Sequence, residues 1–224
     1  MRVVVLLGAP GAGKGTQAQL LAGRLGLVHV ATGDLFRAAV RSGTALGREA
    51  GAYMERGALV PDELTLRILF ERLEAPDASA GVLLDGFPRT LAQAEALDAA
   101  LAERGSRVEV APLIEVPEKE LVTRLSGRWT CRADGHVYHA LANPPRLAGV
   151  CDVDGSELYQ RDDDRPETVR ARLASQLGAL TEVVDHYARA GVLVRVDGRR
   201  PIEAVTADLL TALAPAGRSR SAVG

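Results

Sequence analysis

A chain of 224 residues with 47% hydrophobic content can bury one sizeable core, with inserted segments too small to stand as independent domains. A formal net charge of -2 excludes a nucleic-acid coat or an anionic-membrane binder, both of which need a basic excess, so cations here act locally. Two cysteines are too few for a disulfide framework, no apolar run has the length of a membrane span, and the chain opens on a core strand instead of a leader; a reducing cytoplasm is the expected compartment.

The first element is an apolar run at 3–7, followed at once by Gly8-Ala9-Pro10-Gly11-Ala12-Gly13-Lys14-Gly15-Thr16 and then by an amphipathic helical run over 14–25. Strand, glycine loop and helix in this order point to polyphosphate. Glycines let successive backbone N–H groups curl round phosphate oxygens, the helix start adds its positive dipole end, and Lys14 supplies a mobile full charge. The pattern departs from G-x-x-x-x-G-K-[ST], because Gly15 stands in the Ser/Thr position and the hydroxyl arrives at Thr16. Lys14 is one of only two lysines, Lys119 being the other.

Further short apolar runs at 28–31, 82–85, 108–116 and 192–196 alternate with helical patterns, which predicts an α/β fold: a central five-stranded parallel sheet flanked by helices. Helices are expected at 35–41, 45–55, 62–73, 91–102, 118–125, 166–190 and 202–214. Asp34 reads as a cap, Pro61 and Pro166 as helix starts, and Gly105 and Gly191 as stops. Two segments interrupt the alternation: 31–60, with helical pieces and small turns, and 127–164, with short strands and turns that hold both cysteines, the only tryptophan, His136 and His139. The core then comprises 1–30, 61–126 and 165–214, and 215–224 reads as a disordered tail.

Asp85-Gly86-Phe87-Pro88-Arg89-Thr90 ends a strand, so Asp85 faces the ligand end of the sheet, where an acid beside a phosphate loop organises Mg²⁺ directly or through water. Six arginines stand beside glycine loops and strand ends: Arg37, Arg89, Arg124, Arg128, Arg161 and Arg172. Converging guanidinium forks would neutralise two polyphosphate substrates at once. No nucleophile with a partnered base stands out, which suits an acceptor that is itself a phosphate and already anionic at neutral pH.

Gly8 to Thr16, Thr32-Gly33-Asp34-Leu35 with Arg37, Gly57 to Asp62, Asp85 to Thr90 with Gln93, Gly127-Arg128, Val137-Tyr138-His139, Asn143-Pro144-Pro145 and Gln160-Arg161-Asp162-Asp163 together resemble the adenylate kinase family in its long-lid bacterial form, over residues 1 to about 214. The resemblance implies a P-loop nucleoside monophosphate kinase fold and reversible Mg-dependent phosphoryl transfer from ATP to AMP, giving two ADP, by a monomer. It makes 31–60 the AMP-binding insert and 127–164 the lid. By the resemblance, Gly11, Ala12, Gly13, Lys14, Gly15 and Thr16 cradle the ATP phosphates, with Arg124, Arg128, Val137, Tyr138 and the backbone at Arg200 completing the ATP site. Thr32, Arg37, Ala58, Leu59, Val60, Gly86, Phe87, Pro88, Arg89 and Gln93 hold AMP, Gln93 reading adenine. Lys14, Arg89, Arg128, Arg161 and Arg172 surround the moving phosphoryl, Arg161 and Arg172 also touching AMP; Asp85 holds the Mg²⁺ water shell, and Asp163 and Asp164 tie lid arginines down.

One departure lies in the lid. Cys131-x-x-Asp134 and Cys151-x-x-Asp154 occupy the spacing where many relatives place four cysteines, or three and an aspartate, around structural zinc. Zn²⁺ on two thiolates and two carboxylates, and a metal-free hydrogen-bonded cluster, are both open readings. Two other functional readings use the same fold: a GTP:AMP or UMP/CMP phosphotransferase, and an ATP-driven switch with one nucleotide site.

Overall fold

In a computed structural model, residues 1–214 are described, apart from the side chains of residues 166 and 167; the tail expected at 215–224 lies outside the described residues. The main sheet holds β1 (Val3–Leu6), β2 (Val28–Ala31), β3 (Val82–Asp85), β4 (Val108–Glu115) and the strand Leu193–Asp197, in spatial order β2, β3, β1, β4 and that last strand, all parallel. The central strand must be apolar on both faces, and Val3, Val4, Val5 and Leu6 are at most 1% exposed.

Alternation along β1 divides the core into two layers. Val3 and Val5 pack with Ala94, Leu97 and Leu101 of α5 (Leu91–Glu103) and with Val183 and Tyr187 of α7 (Pro166–Arg189). On the other face, Val4 and Leu6 pack with Ala18 and Leu21 of α1 (Lys14–Leu25), Leu121 and Leu125 of α6 (Glu118–Ser126), and Val205 and Leu209 of α8 (Ile202–Ala212). β1 lies between β3 and β4, with β2 and β3 built to one side of it and β4 and the strand Leu193–Asp197 to the other, so the strand order reverses at β1. The crevice beyond the carboxyl ends of the strands opens there. Leu6 pairs in register with Asp85, which brings the glycine loop after β1 beside the carboxylate that ends β3.

Two smaller units project from this core. α2 (Thr32–Arg41), α3 (Ala45–Glu55) and the start of α4 (Asp62–Leu73) share an apolar cluster of Phe36, Ala50, Val60 and Leu64. A three-stranded antiparallel sheet places β5 (Arg128–Cys131) between β6 (Val137–His139) and β7 (Leu158–Tyr159), which makes Leu193–Asp197 β8. Its core is only Cys131, Tyr138, Cys151 and Leu158.

Two local expectations change. α2 begins at Thr32 instead of 35, with extended Ala31 at its cap position, so Asp34 sits in the first turn and pairs with Arg37 instead of capping. Pro61 occupies the cap position of α4 and not its first helical residue. The cap before α5 is Thr90, whose hydroxyl accepts the Gln93 N–H at 3.2 Å, which leaves Asp85 free of any capping duty.

α2 and α3 approach through Gly47, where an added Cβ would lie 2.1 Å from the Ala39 carbonyl oxygen. Two helix backbones would have to separate to admit a methyl. Gly47→Ala is expected to destabilise the fold by about 1–3 kcal/mol, read as a lowered midpoint in thermal or urea unfolding; an unchanged midpoint would show that this contact is not close.

Candidate functional site

The glycine loop is a turn that side chains would block. Gly13 takes φ +95° as the residue before α1, with no side-chain cap, so the first N–H groups of α1 remain without intrahelical partners and face the crevice. Gly11 has φ +84°, and a Cβ there would meet Leu125 Cγ at 2.9 Å and the Leu121 carbonyl at 3.0 Å. Lys14 folds back over the loop and donates from Nζ to the Gly8 and Ala9 carbonyls at 2.7 and 3.0 Å.

A cleft of 2210 Å³, its open mouth included, runs from this loop past Asp85 to the residues after β8. All six arginines picked out from the sequence line it. They are held by few acids: Asp164, fully buried, accepts both ends of the Arg128 fork, from Nε at 2.7 Å and from Nη2 at 2.5 Å, and Asp163 accepts from Arg161 Nε at 2.8 Å. Arg172 Nη1 lies 2.9 Å from Asp163 and 3.5 Å from Asp164. Burial opposes the charge on Asp163, and the Arg172 and Arg161 guanidiniums more than offset it, holding the carboxyl well below its usual range. Burial, with Arg128, Arg161 and Arg89 nearby, pushes Arg172 down to about 9 against the attraction of Asp163; it is still a cation at neutral pH. Burial and the like charges of Arg37 and Arg161 lower Arg89 as well, while Asp85 resists.

A recess of 510 Å³ opens off this cleft between α2, the 57–60 turn and α5. Thr32, Arg37, Ala58, Leu59, Val60, Arg89, Gln93, Arg161 and Arg172 line it. Gly86 and Pro88 line a neighbouring hollow with Lys14 and Arg172. Gly86 holds φ +72°, its carbonyl accepting from Thr32 Oγ1 at 2.8 Å and Arg89 Nε at 2.7 Å, and a Cβ there would lie 2.8 Å from the Arg89 fork. Gln93 is 1% exposed and its amide has one permitted orientation. Oε1 accepts the Arg89 backbone N–H at 2.8 Å and Nε2 donates to Asp62 Oδ1 at 2.7 Å, while Thr90 donates to the other Asp62 oxygen at 2.9 Å. A carboxylate can only accept and a backbone N–H can only donate, so the amide cannot flip.

The sequence that builds this glycine loop, recess and shared set of guanidiniums has relatives among known proteins. The chain matches the family model "Adenylate kinase" over residues 6–192. It is 48% identical over 210 residues to "Adenylate kinase" of Staphylococcus aureus strain Mu50, covering 94% of this chain and 98% of that protein. The Staphylococcus epidermidis ATCC 12228 protein of the same name is 47% identical over the same shares. The chain belongs to the adenylate kinase family. It is therefore a phosphotransferase acting on a nucleoside monophosphate.

Several side chains of the enzyme lie elsewhere than the sequence suggests. Phe87 is 1% exposed and packs in the core, and it is not among the residues that line the recess or the cleft. Tyr138 lines the cleft, but its hydroxyl turns into the three-stranded unit, where it accepts the Asp152 N–H at 2.8 Å. Arg200 pairs with Asp208 on α8, which leaves its backbone to line the cleft. Asp134 is a clear correction. The four ligand atoms that converge within 4.8 Å belong to Cys131, His136, Cys151 and Asp154. The turn after Cys131, closed by Gly135 N–H to the Cys131 carbonyl at 3.1 Å, leaves Asp134 exposed at its tip and returns the chain so that Cys131 N–H bonds the His136 carbonyl at 2.8 Å.

His29 also escapes sequence reading. It reaches the cleft from the edge strand β2, with Nε2 3.3 Å from Asp85 Oδ2, and carried no motif. Burial would raise the Asp85 carboxyl, but the His29 hydrogen bond and the Lys14 charge prevail and keep it ionised. Gly33, Phe36, Met54, Thr65 and Gln176 complete the recess; Gln176 stands one helical turn beyond Arg172, and that i, i+4 spacing was its available signal.

Burial and the nearby Arg89, Arg172 and Arg128 pull Lys14 down to about 7, with Asp85 pulling the other way. At pH 8 Lys14 is then largely neutral in the free enzyme, and an inorganic tripolyphosphate set against it restores the charge. Binding at pH 8 is expected to take up a proton, fading below pH 6. Calorimetry in buffers of different ionisation enthalpy measures it, and Lys14→Arg, permanently charged, should abolish the uptake; no uptake in the native enzyme would place Lys14 in an ordinary environment.

Proposed function

We propose that the enzyme transfers the terminal phosphoryl group of Mg-ATP to AMP, reversibly, giving two ADP and balancing adenine nucleotides. The observation that carries this is the locked Gln93 amide in a recess that Arg37, Arg89 and Arg172 also line. The amide keeps one N–H and one oxygen lone pair to offer. These complement an acceptor ring nitrogen beside an exocyclic amino group, as in adenine, and meet a 6-oxo purine with oxygen facing oxygen.

ATP is proposed to lie along the 8–16 loop with its base toward residues 198–203, its end phosphate between Lys14, Arg128 and Arg172. The acceptor phosphate, held by Arg37 and Arg89, is already a nucleophile, so the protein's tasks are alignment and charge neutralisation, and no general base is required. Asp85 suits the water shell of Mg²⁺: it is an ionised hard-oxygen donor beside the loop, and its Oδ1 has no protein hydrogen bond among the described residues. When bound, Mg²⁺ neutralises phosphate charge. The residues of 127–164 act as a lid and those of 31–60 as an AMP-binding flap. Closing them over both nucleotides excludes water, which would otherwise compete for the phosphoryl group. Every group comes from one chain, so a monomer suffices. A single-site switch would have no use for the second anion recess.

For the lid cluster, we propose structural Zn²⁺ on Cys131, His136, Cys151 and Asp154. Zinc bond lengths of about 2.0–2.3 Å imply edges near 3.5 Å between tetrahedral ligands. The observed separations are 3.2 Å for Cys131 to Asp154, 3.5 Å for Cys151 to His136 and 3.4 Å for His136 to Asp154. Zinc would supply rigidity only and take no part in transfer.

A coupled assay tests the activity: ADP should form from Mg-ATP only when AMP is added, Arg89→Ala should lower kcat/KM at least a hundredfold, and Asp62→Ala should cut the AMP:IMP preference severalfold by freeing the amide. ADP formation indifferent to AMP, or an unaltered AMP:IMP ratio, would contradict the respective assignment. Metal analysis of chelator-free enzyme should return one zinc per chain, with His136→Ala losing it and Asp134→Ala keeping it; retention of zinc by His136→Ala would overturn the ligand set.

A further inference from the structure

Gln17 borders the cleft and was given no task in the phosphoryl chemistry, yet it is one of the most buried polar residues, 3% exposed in the first turns of α1, whose Ala18 and Leu21 share an apolar layer with Val205 and Leu209. Its Nε2 donates to the Ile202 carbonyl at 3.0 Å, across 185 residues of sequence. The Thr206 hydroxyl, 2% exposed, sits 2.8 Å from both Gln17 Oε1 and the Ile202 carbonyl, so the three groups close a ring inside an apolar layer. Gln17 directly follows Thr16 of the phosphate loop, and Ile202 opens α8 directly after the segment 198–201 that walls the far end of the cleft.

With Ile202, residues 198–201 form that wall. Arg199 clamps Asp197 with Nε and Nη2 at 2.9 and 2.8 Å, and Arg200 pairs with Asp208, so both guanidiniums already have carboxylate partners. At its start the segment is pressed on β4: Gly198 N–H bonds the Glu115 carbonyl at 2.9 Å, and a Cβ on Gly198 would lie 2.5 Å from Ile114. At its end the Gln17–Thr206 ring ties it by hydrogen bonds to the helix that carries the phosphate loop, beside the non-directional packing of Ala18 and Leu21 with Val205 and Leu209.

We propose that Gln17 is a positioning residue that sets the distance between the phosphate grip and the base-facing wall, and so selects a nucleoside triphosphate over a bare polyphosphate. The inference rests on the proposed ATP site. A satisfied amide ring in an apolar layer adds little net stability over well-packed carbon, but it fixes one geometry, and a carbon side chain of similar volume leaves the Ile202 carbonyl its bond from Thr206. Position should therefore suffer more than folding.

The test compares native enzyme with Gln17→Leu and, should that variant fold poorly, Thr206→Val. KM for ATP is expected to rise at least fivefold, with KM for AMP, the inhibition constant of inorganic tripolyphosphate and the melting midpoint each within about twofold or a few degrees of native. A KM for ATP within twofold of native overturns the inference, and so does tripolyphosphate weakening in step with ATP, which would mean that the loop itself had collapsed. Failure of the underlying nucleotide reading shows separately, as absence of AMP-dependent ADP formation in the native enzyme.

Discussion

Everything in this molecule is arranged round a surplus of buried positive charge. Arg89, Arg128, Arg161, Arg172 and Lys14 crowd a cleft where fewer acids, chiefly Asp85, Asp163 and Asp164, oppose them. Burial strips water from these cations and is the larger cause that lowers Lys14 and Arg172, and the like charges around them push the same way. Such a cluster is unfavourable by itself and becomes favourable when anions enter. Asp163 and Asp164 hold the guanidiniums in place meanwhile, and Asp164 can do so from full burial because Arg128 and Arg172 both face it. The two acids sit between β7 and α7, so one short acidic turn joins the three-stranded unit to the core through the arginines it holds.

The parallel sheet gives that cluster its rigid base. Strand order reverses at β1, which opens the crevice, and the β1–β3 register sets Asp85 beside the glycine loop. Around this base the other contributors differ in mobility by construction. Lys14, Asp85 and Arg89 stand on strand ends or directly after them in the core, whereas Arg37 belongs to the helical unit and Arg128 to the small sheet. Each of those units has an apolar cluster of only four fully buried residues. Small clusters open at little cost, and on the proposed reading that suits segments that must admit two nucleotides and then shut out water.

Much of this was legible in the sequence because the relevant signals are local. Apolar runs bounded by glycine located the five strands, and loops at strand ends located the arginines that line the cleft. Signals that depend on where a side chain turns were not legible. Phe87 sits in a motif of cleft residues but faces the core, because its neighbours Gly86 and Arg89 already fill the cleft side. His29 lies mid-strand with no neighbouring motif, and only the pairing of β2 with β3 brings it to Asp85. α2 starts early because an extended Ala31 and an acid in the first turn suffice to begin a helix, so the Thr-Gly that reads as a loop is wound into it.

The exchange of Asp134 for His136 follows from the size of the unit that holds it. A sheet of three short strands cannot bury enough carbon to stand alone, so its polar cluster must close the fold whether by metal or by hydrogen bonds. Spacing in sequence names the residues at the turn, but the turn geometry decides which of them point inward. With Gly135 at φ +74°, the chain reverses one residue after Asp134, and the first side chain on the returning strand is His136. An imidazole two positions on can span the distance that a carboxylate on the tip cannot. Cysteine-based spacing rules assume short side chains on both sides of the turn, whereas the longer imidazole that joins this cluster lies beyond it.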